Sequence, residues 1–322
     1  MILTCYYDLR YQPNTFDFAI FLAGANAYRK KLQAIGLEIK IINPDYKKKT
    51  GDNRTFYQED EESWKFYNTV LKLPDLLPEV ISISLLKEIP RLVNLPSYPP
   101  PLNEVKGNTL SYSSYSDALK EKYRFFHSLG FLKKKFFDYP EAFQCFVAPN
   151  DLQGMIKEKY GENYISISLR NKLFQPLRNS NIESWNDICD YVCSKGFQPI
   201  ILPDFEDYFN AQSFKKINYP VADEAVLDLG LRMAFYQNAR HNLAINDDAT
   251  SHLLLCSKAS YSIFKWIVPG ISSCSAEYHR NINNLKFGEK IWFMQDTQFL
   301  LWADDSKDFV IEHLKTLFMN YK

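Results

Sequence analysis

Residues 164–202, YISISLRNKLFQPLRNSNIESWNDICDYVCSKGFQPIIL, constrain this chain more than any other stretch. Tyr164 to Leu169 is a β-branched run. Ile182 to Ser194 places Ile182, Trp185, Ile188, Cys189 and Val192 on one helical face, and Gln198 to Leu202 is a second apolar strand. A strand, a helix and a strand in close succession make a βαβ unit. Its two strands run parallel, because the helix carries the chain back to the starting edge of the sheet. Parallel sheets are buried on both faces, which commits this part of the chain to the α/β class.

The same pattern recurs on either side. Downstream, Asn242 to Asn246 suits a buried parallel strand, and Asp247 and Asp248 favour a helix start, since their side chains can accept bonds from unpaired first-turn amides. Such amides, at the positive end of the helix dipole, suit an anion above the strand ends. Upstream, Ile2 to Tyr7 reads as a strand, Thr15 to Ile35 as a helix ending near Gly36, and Glu38 to Ile42 as the next strand. The N-terminal half therefore repeats the C-terminal architecture. A chain of 322 residues exceeds what one core serves, so two domains are expected, with the boundary near Pro149.

Between these landmarks, Leu76 to Leu86 is strand-like, Pro96 to Pro101 reads as a stiff connector, and Asp223 to Arg240 as a helix. Tyr261 to Val268 reads as a strand, 277–287 as a polar loop and turn, Ile291 to Phe293 as a short strand, and Asp308 to Tyr321 as a closing helix.

Composition closes off several functions. Lys and Arg number 38 against 38 Asp and Glu, which argues against nucleic-acid binding through bulk charge. Neither a Gly-x-Gly-x-x-Gly nor a P-loop occurs, so a dinucleotide dehydrogenase and a P-loop NTPase lack support. No Asp-x-Asp triplet is present to hold a metal diphosphate, and the histidines and six cysteines have no metal-ligand spacing. No metal and no cofactor is therefore expected. The start MILTCYY lacks a signal-peptide pattern and no apolar run suits a membrane span, so a cytoplasmic location is expected. Residues 122–140 mix Phe125, Phe126, Phe131, Phe136 and Phe137 with Lys133, Lys134 and Lys135, a pattern read either as core plus solvated face or as a peripheral patch on an anionic membrane.

Residues 247–253, Asp-Asp-Ala-Thr-Ser-His-Leu, resemble the Asp-Thr-Gly-x-Ser-His-Leu signature of ADP-heptose transferases and related bacterial glycosyltransferases of the two-domain B fold, in which this loop holds the donor diphosphate. Asp247, Ser251, His252 and Leu253 fit, whereas Asp248 stands in place of Thr and Ala249 in place of Gly. In the same family a basic loop residue precedes a Pro-x-Glu-x-Trp helix start; here Glu183 and Trp185 fit, and Ile182 replaces Pro.

The resemblance implies two Rossmann-like domains facing one another across a cleft, spanning 1–148 and 149–305, with a closing helix over 306–322 that in such proteins commonly returns to the first domain. It implies a metal-independent glycosyltransferase that moves a sugar from a nucleotide diphosphate sugar to a bacterial surface glycan or glycolipid. Donor-binding residues would be Arg170, Asn171, Arg178, Glu183, Asp247, Asp248, Ala249, Thr250, Ser251 and His252, with Asp204 ending a strand on the same edge, where it either meets a ribose or serves no ligand. By position, Asp17 would be the general base, although the Gly that precedes this Asp in the family is missing. Its plainer role is in the first turn of a helix capped by Thr15. Lys47, Lys48, Lys49 and Arg54 lie in a charged, turn-rich loop that either is simply solvated or holds an anionic acceptor. Two alternatives stay open: a GDP-sugar transferase of the fucosyltransferase type, which also carries a strand-end Arg like Arg170, and a catalytically inactive B-fold protein that binds a glycan or partner.

Overall fold

A computed structural model describes residues 1–43, 63–101, 107–122, 126, 128–204, 217–247 and 250–319. The chain divides into two compact units, Met1–Phe146 and Val147–Lys322.

In the first unit, β1 (Ile2–Asp8), α1 (Asp17–Lys31) and β2 (Gly36–Ile42) form the expected βαβ start, followed by β3 (Val80–Leu86). α1 stops before Ile35 because Gln33 adopts a left-handed backbone, φ 55°, which no helix continues. Next come β4 (Leu92–Asn94), β5 (Ser97–Tyr98), β6 (Thr109–Ser111), α2 (Tyr112–Lys122) and α3 (Leu129–Phe136). The sheet order is β3-β2-β1-β5 with all pairs parallel, while β4 and β6 form a separate antiparallel pair. The Pro96–Pro101 stretch is thus more than a connector: Ser97 and Tyr98 pair with Thr4 and Cys5. Tyr98 is fully buried, its ring edge-on to Phe21. That packing needs Gly24 on α1, where an added Cβ would strike the Tyr98 hydroxyl.

The second unit runs α4 (Asn150–Tyr160), β7 (Tyr164–Ser168), α5 (Ile182–Ser194), β8 (Gln198–Leu202), α6 (Glu224–Leu227), α7 (Leu229–Asn238) and β9 (His241–Ile245). It continues through α8 (Thr250–Leu254), β10 (Tyr261–Phe264), α9 (Ala276–Ile282), β11 (Gln298–Leu300) and α10 (Lys307–Met319). The strand order is β11-β10-β9-β7-β8, all parallel. Alternation divides the strand residues between the faces. Ile165 and Ile167 join Trp185, Ile188 and Val192 of α5 and Val310 and Leu314 of α10 in one core. On the opposite face the Tyr164 hydroxyl donates to the carbonyl of Phe235 on α7. The closing helix therefore buries its apolar face within the second unit.

Several sequence expectations need correction here. The helix read over 223–240 is broken at Asp228, whose extended backbone separates α6 from α7 and whose carboxylate caps α7 by accepting from Leu231 N. The strand from Tyr261 ends at Phe264, because Lys265 takes φ 56°. Residues 276–282 form α9, capped by Ser275, where a loop was expected. Ile291 and Phe293 are buried without forming a strand; the edge strand is β11, where the Gln298 side chain ties the loop to Ala259 O. A short apolar run reads alike as a strand or a buried turn. Among the described residues, no helix is long and apolar enough to cross a membrane.

Candidate functional site

All five strands of the second sheet point the same way, so their carboxyl ends share one edge. The order reverses between β7, which leads to β8 on one side, and β9, which starts the other. In doubly wound sheets ligands bind at that reversal. Arg170 and Lys172 follow β7, Asp204 follows β8, Asn246 and Asp247 follow β9, and Lys265 follows β10.

These residues form a buried charge network. Arg170, 1% exposed, donates from Nε to Asp247 Oδ1 at 3.1 Å, from Nη1 to Gln175 O and Asn179 Oδ1, and from Nη2 to Phe174 O at 2.6 Å. Four of its five N–H groups are therefore turned onto its own loop and Asp247. Lys172 Nζ bridges Asp204 Oδ2 at 2.7 Å and Asp247 Oδ2 at 2.8 Å. Arg232, on α7, donates to Pro203 O at 2.7 Å and to the Tyr236 hydroxyl at 2.9 Å.

Arg178 differs. It donates from Nη2 to Asn246 O at 2.9 Å and from Nη1 to Gln175 Oε1 at 3.0 Å, yet its buried Nε–H has no hydrogen-bond partner. The residue is 9% exposed. A buried guanidinium donor left unmade is costly, and an anionic ligand would satisfy it.

A second clamp holds the loop's exit. Asp305, fully buried, accepts from Asn181 N at 3.0 Å and from the Trp185 indole at 2.7 Å. Lys265 Nζ pairs with Asp305 at 3.0 Å and donates to Asn179 O at 2.7 Å. Trp185, which the sequence places on the apolar face of this helix, thus anchors the loop from the core.

The two carboxylates respond differently to this surrounding. Burial pushes Asp204 up, with Lys172 opposing and Asp247 adding to the rise. Burial acts upward on Asp247 too, but Lys172, Asp204, Arg170 and Arg178 together hold its carboxyl well below the usual range. Four buried cations, Arg170, Lys172, Arg178 and Arg232, thus face two buried carboxylates, Asp204 and Asp247. The surplus is positive.

Other expected site residues sit as follows. Glu183 is exposed in the first turn of α5, and Asn171 is half-buried beside the network. Thr250 is buried and its N–H donates to Asp247 O at 3.0 Å, so that amide closes the turn. Ser251 is half-buried. His252 is fully buried, its ring centroid 5.4 Å from that of Tyr236; burial, assisted by the charge on Arg232, holds its pKa well below the ordinary value and keeps it neutral. Asp248 and Ala249 lie outside the described residues, as do Lys47, Lys48, Lys49 and Arg54.

In the first unit, Asp17 is exposed at the start of α1, and its N–H meets Thr15 Oγ1 at 3.3 Å. Desolvation of the carboxyl by its surroundings pushes its pKa up, with the hydrogen bond from the Thr15 hydroxyl acting the other way. Phe126 and Phe136 enter the core, leaving Lys134, Lys135 and Phe137 exposed at the end of α3; Phe125 lies outside the described residues. Sequence reading missed Lys172 as a bridge, Arg232, Lys265 and Asp305. Lys172 had a signal, being a second cation two residues after Arg170 in the loop that follows β7; the others belong to distant segments.

Neither a family sequence profile nor a curated protein sequence matches this chain. Solved structures do. A glycosyl transferase family 9 protein from Veillonella parvula is similar over 99% of this chain and 97% of that one, with a TM-score of 0.50 at 10% identity. The E. coli ADP-heptose LPS heptosyltransferase II is similar over 100% of this chain and 99% of that one, with a TM-score of 0.50 at 8% identity. At such identities the likeness is one of fold, and the chain has the α/β, two-unit fold of these glycosyltransferases.

Proposed function

We propose that this protein is a glycosyltransferase that moves a sugar from a nucleotide diphosphate sugar to a glycan or glycolipid acceptor. One observation carries the reading: a buried surplus of positive charge at the β7/β9 reversal, with the Arg178 Nε–H unmade. Uncompensated buried charge is unfavourable, so a site of this kind is completed by an anion. The diphosphate of a donor is such an anion. The fold agrees, since the E. coli structure of the same fold is named for an ADP-heptose reaction.

In this reading the acceptor hydroxyl attacks the sugar's anomeric carbon, the bond from that carbon to the diphosphate oxygen breaks, and the hydroxyl proton passes to a base. Arg178 stabilises the charge gathering on the leaving diphosphate, as an oriented cation in a low-dielectric site does. Arg170 and Asp247 hold the loop in shape; Asp247 keeps no direct contact with phosphate, because like charges repel. The reaction is assigned as metal-independent, with cations doing what a metal would. Residues 1–148 take the acceptor, with Asp17 as the base and Lys47, Lys48, Lys49 and Arg54 toward an anionic acceptor, and 149–305 take the donor. Contact with an anionic membrane would run through Lys134, Lys135 and Phe137.

The test is release of nucleoside diphosphate. Incubation with ADP-, GDP-, UDP- and CDP-sugars, with and without bacterial glycan acceptors, is expected to give acceptor-dependent release from one donor class. A donor that binds but is released with none of the acceptors would favour a binding protein, and no binding of any nucleotide would remove the reading.

A further inference from the structure

Each of the two parallel sheets ends in two edge strands, and among the described residues all but one of these edges are guarded. β5 is two residues long and lies between Pro96 and Pro99. β11 has three residues. β8 carries Pro199 and is covered by the segment at Pro220, where Ile201 N donates to Pro220 O and Ala222 N donates to Ile201 O. β3 is the exception: seven residues, Val80–Leu86, with neither a charge nor a proline, and with Ile81 56% and Leu85 46% exposed. Edge strands of that length are normally blunted by a charge, a proline or a cover, because their unpaired N–H and C=O groups otherwise invite another strand. Leu86 O accepts from Asn43 N, so Leu86 turns its backbone groups toward β2, and alternation turns Ser84 and Ser82 the same way. Ile83 and Leu85 therefore present theirs outward, as does Ile81, which the register with β2 skips.

The residues of this edge also select the strand that fits it. From Glu79 to Lys87 the chain reads Glu-Val-Ile-Ser-Ile-Ser-Leu-Leu-Lys, which reverses onto itself around Ile83. Laid antiparallel against a second copy, Ile83 meets Ile83, Ile81 meets Leu85, Ser82 meets Ser84, Val80 meets Leu86 and Glu79 meets Lys87. The outward-turned residues Ile81, Ile83 and Leu85 then occupy the bonded pairs of the ladder, and their side chains make one apolar row across the join. A slip of one residue would set outward backbone groups against inward ones, and a slip of two would set Glu79 or Lys87 against an apolar residue. The ends of the segment are placed for this pairing: Arg29 holds Glu79 at 3.4 Å while 31% of the Glu79 side chain stays exposed, and Lys87 is exposed. We propose that two copies of this chain pair their β3 strands antiparallel about a two-fold axis through Ile83, joining their four-stranded sheets. Such a contact uses the same patch on both copies and closes on itself, so assembly stops at two. The proposal stands apart from the transferase reading, because it uses no residue assigned to donor or acceptor.

Sedimentation velocity of the full chain over a range of concentrations tests the assembly, and cysteine cross-linking tests the register. The parent is expected to move between one and two copies as concentration rises. Leu85→Lys places a charge at an exposed position and acts at both symmetric sites, so it should raise the dimer dissociation constant roughly 10-fold or more while far-UV circular dichroism stays that of the parent. Lys87→Glu should weaken the dimer less, since exposed ion pairs are worth little. Cross-linking is done in a Cys193→Ser background, because Cys193 is exposed. There Ile83→Cys should form a disulfide-linked dimer under mild oxidation, its Cα lying about 5.5 Å from that of its own copy, within disulfide reach. Ser82→Cys, whose copy lies on the diagonal, should link far less. Linkage of Ile83→Cys that is lost when Leu85→Lys is added would complete the case. A parent that stays single at every concentration, growth beyond two copies, a dimer indifferent to Leu85→Lys, or Ser82→Cys linking as readily as Ile83→Cys would each overturn the proposal.

Discussion

Arg170 and Arg178 look interchangeable in sequence, both being cations of one loop, and the structure gives them separable tasks. Arg170→Ala removes four described hydrogen bonds and leaves the buried carboxylate of Asp247 with less compensation. Breaking a buried pair from one side costs about 3 to 5 kcal/mol. For a unit of this size that lowers the melting temperature by roughly 6 to 20 °C. Arg178→Ala removes two local bonds, each worth about 1 kcal/mol, and the buried Nε–H that has no hydrogen-bond partner. Its larger effect should be on affinity: a charge-assisted bond to phosphate is worth about 1.5 to 3 kcal/mol, or roughly 10- to 150-fold in Kd. Calorimetric titration of nucleoside diphosphates, paired with thermal melts of both variants, separates the two. The expected pattern is a marked loss of stability for Arg170→Ala and a marked loss of affinity with modest destabilisation for Arg178→Ala. If Arg178→Ala binds as the parent does, its unmade N–H is not a ligand donor; if Arg170→Ala melts like the parent, the loop does not depend on the network.

Three further outcomes are expected. Burial, with His313 adding to it, pushes His241 down to about 3, so the unfolded chain binds a proton there that the native state refuses. Stability is then complete above about pH 6.5 and falls as pH drops toward 3, by about 2 kcal/mol at pH 5, and denaturant melts of His241→Gln should show a flatter acid limb. Gly24→Ala should destabilise by about 1 to 3 kcal/mol despite alanine's better helix propensity, because the new methyl meets Tyr98 and Leu132; a gain in Cm would show that the first unit has room there. Asp17→Asn should keep donor affinity while turnover falls about 10²- to 10⁴-fold, and near-normal turnover would confine Asp17 to the helix start.

How far the sequence reaches is clearest at α5. Its span, Ile182 to Ser194, and its buried face follow from spacing alone, because a helix period of 3.6 puts one stripe against the sheet whatever lies beyond. The strands flanking it are equally legible, since a fully buried parallel strand reads as a continuous apolar run. β5 was not legible: two residues between prolines carry no periodicity, and only the neighbouring β1 backbone makes them a strand. Nor was the break at Asp228, where a capping bond to Leu231 competes with an apolar pattern that continues across it.

At the candidate site the same division holds. Which strand ends carry charge was written in the residue order, and so was the α/β class, because both depend on local chemistry and on strands that must run parallel. Which cation is consumed and which is left with an unmade donor was not. Arg170 is spent on Asp247, 77 residues away, and the loop's exit is fastened by Asp305, 124 residues from Asn181. Those partnerships exist only once the strands lie side by side, and burial then turns ordinary charges into a network whose balance no single segment contains.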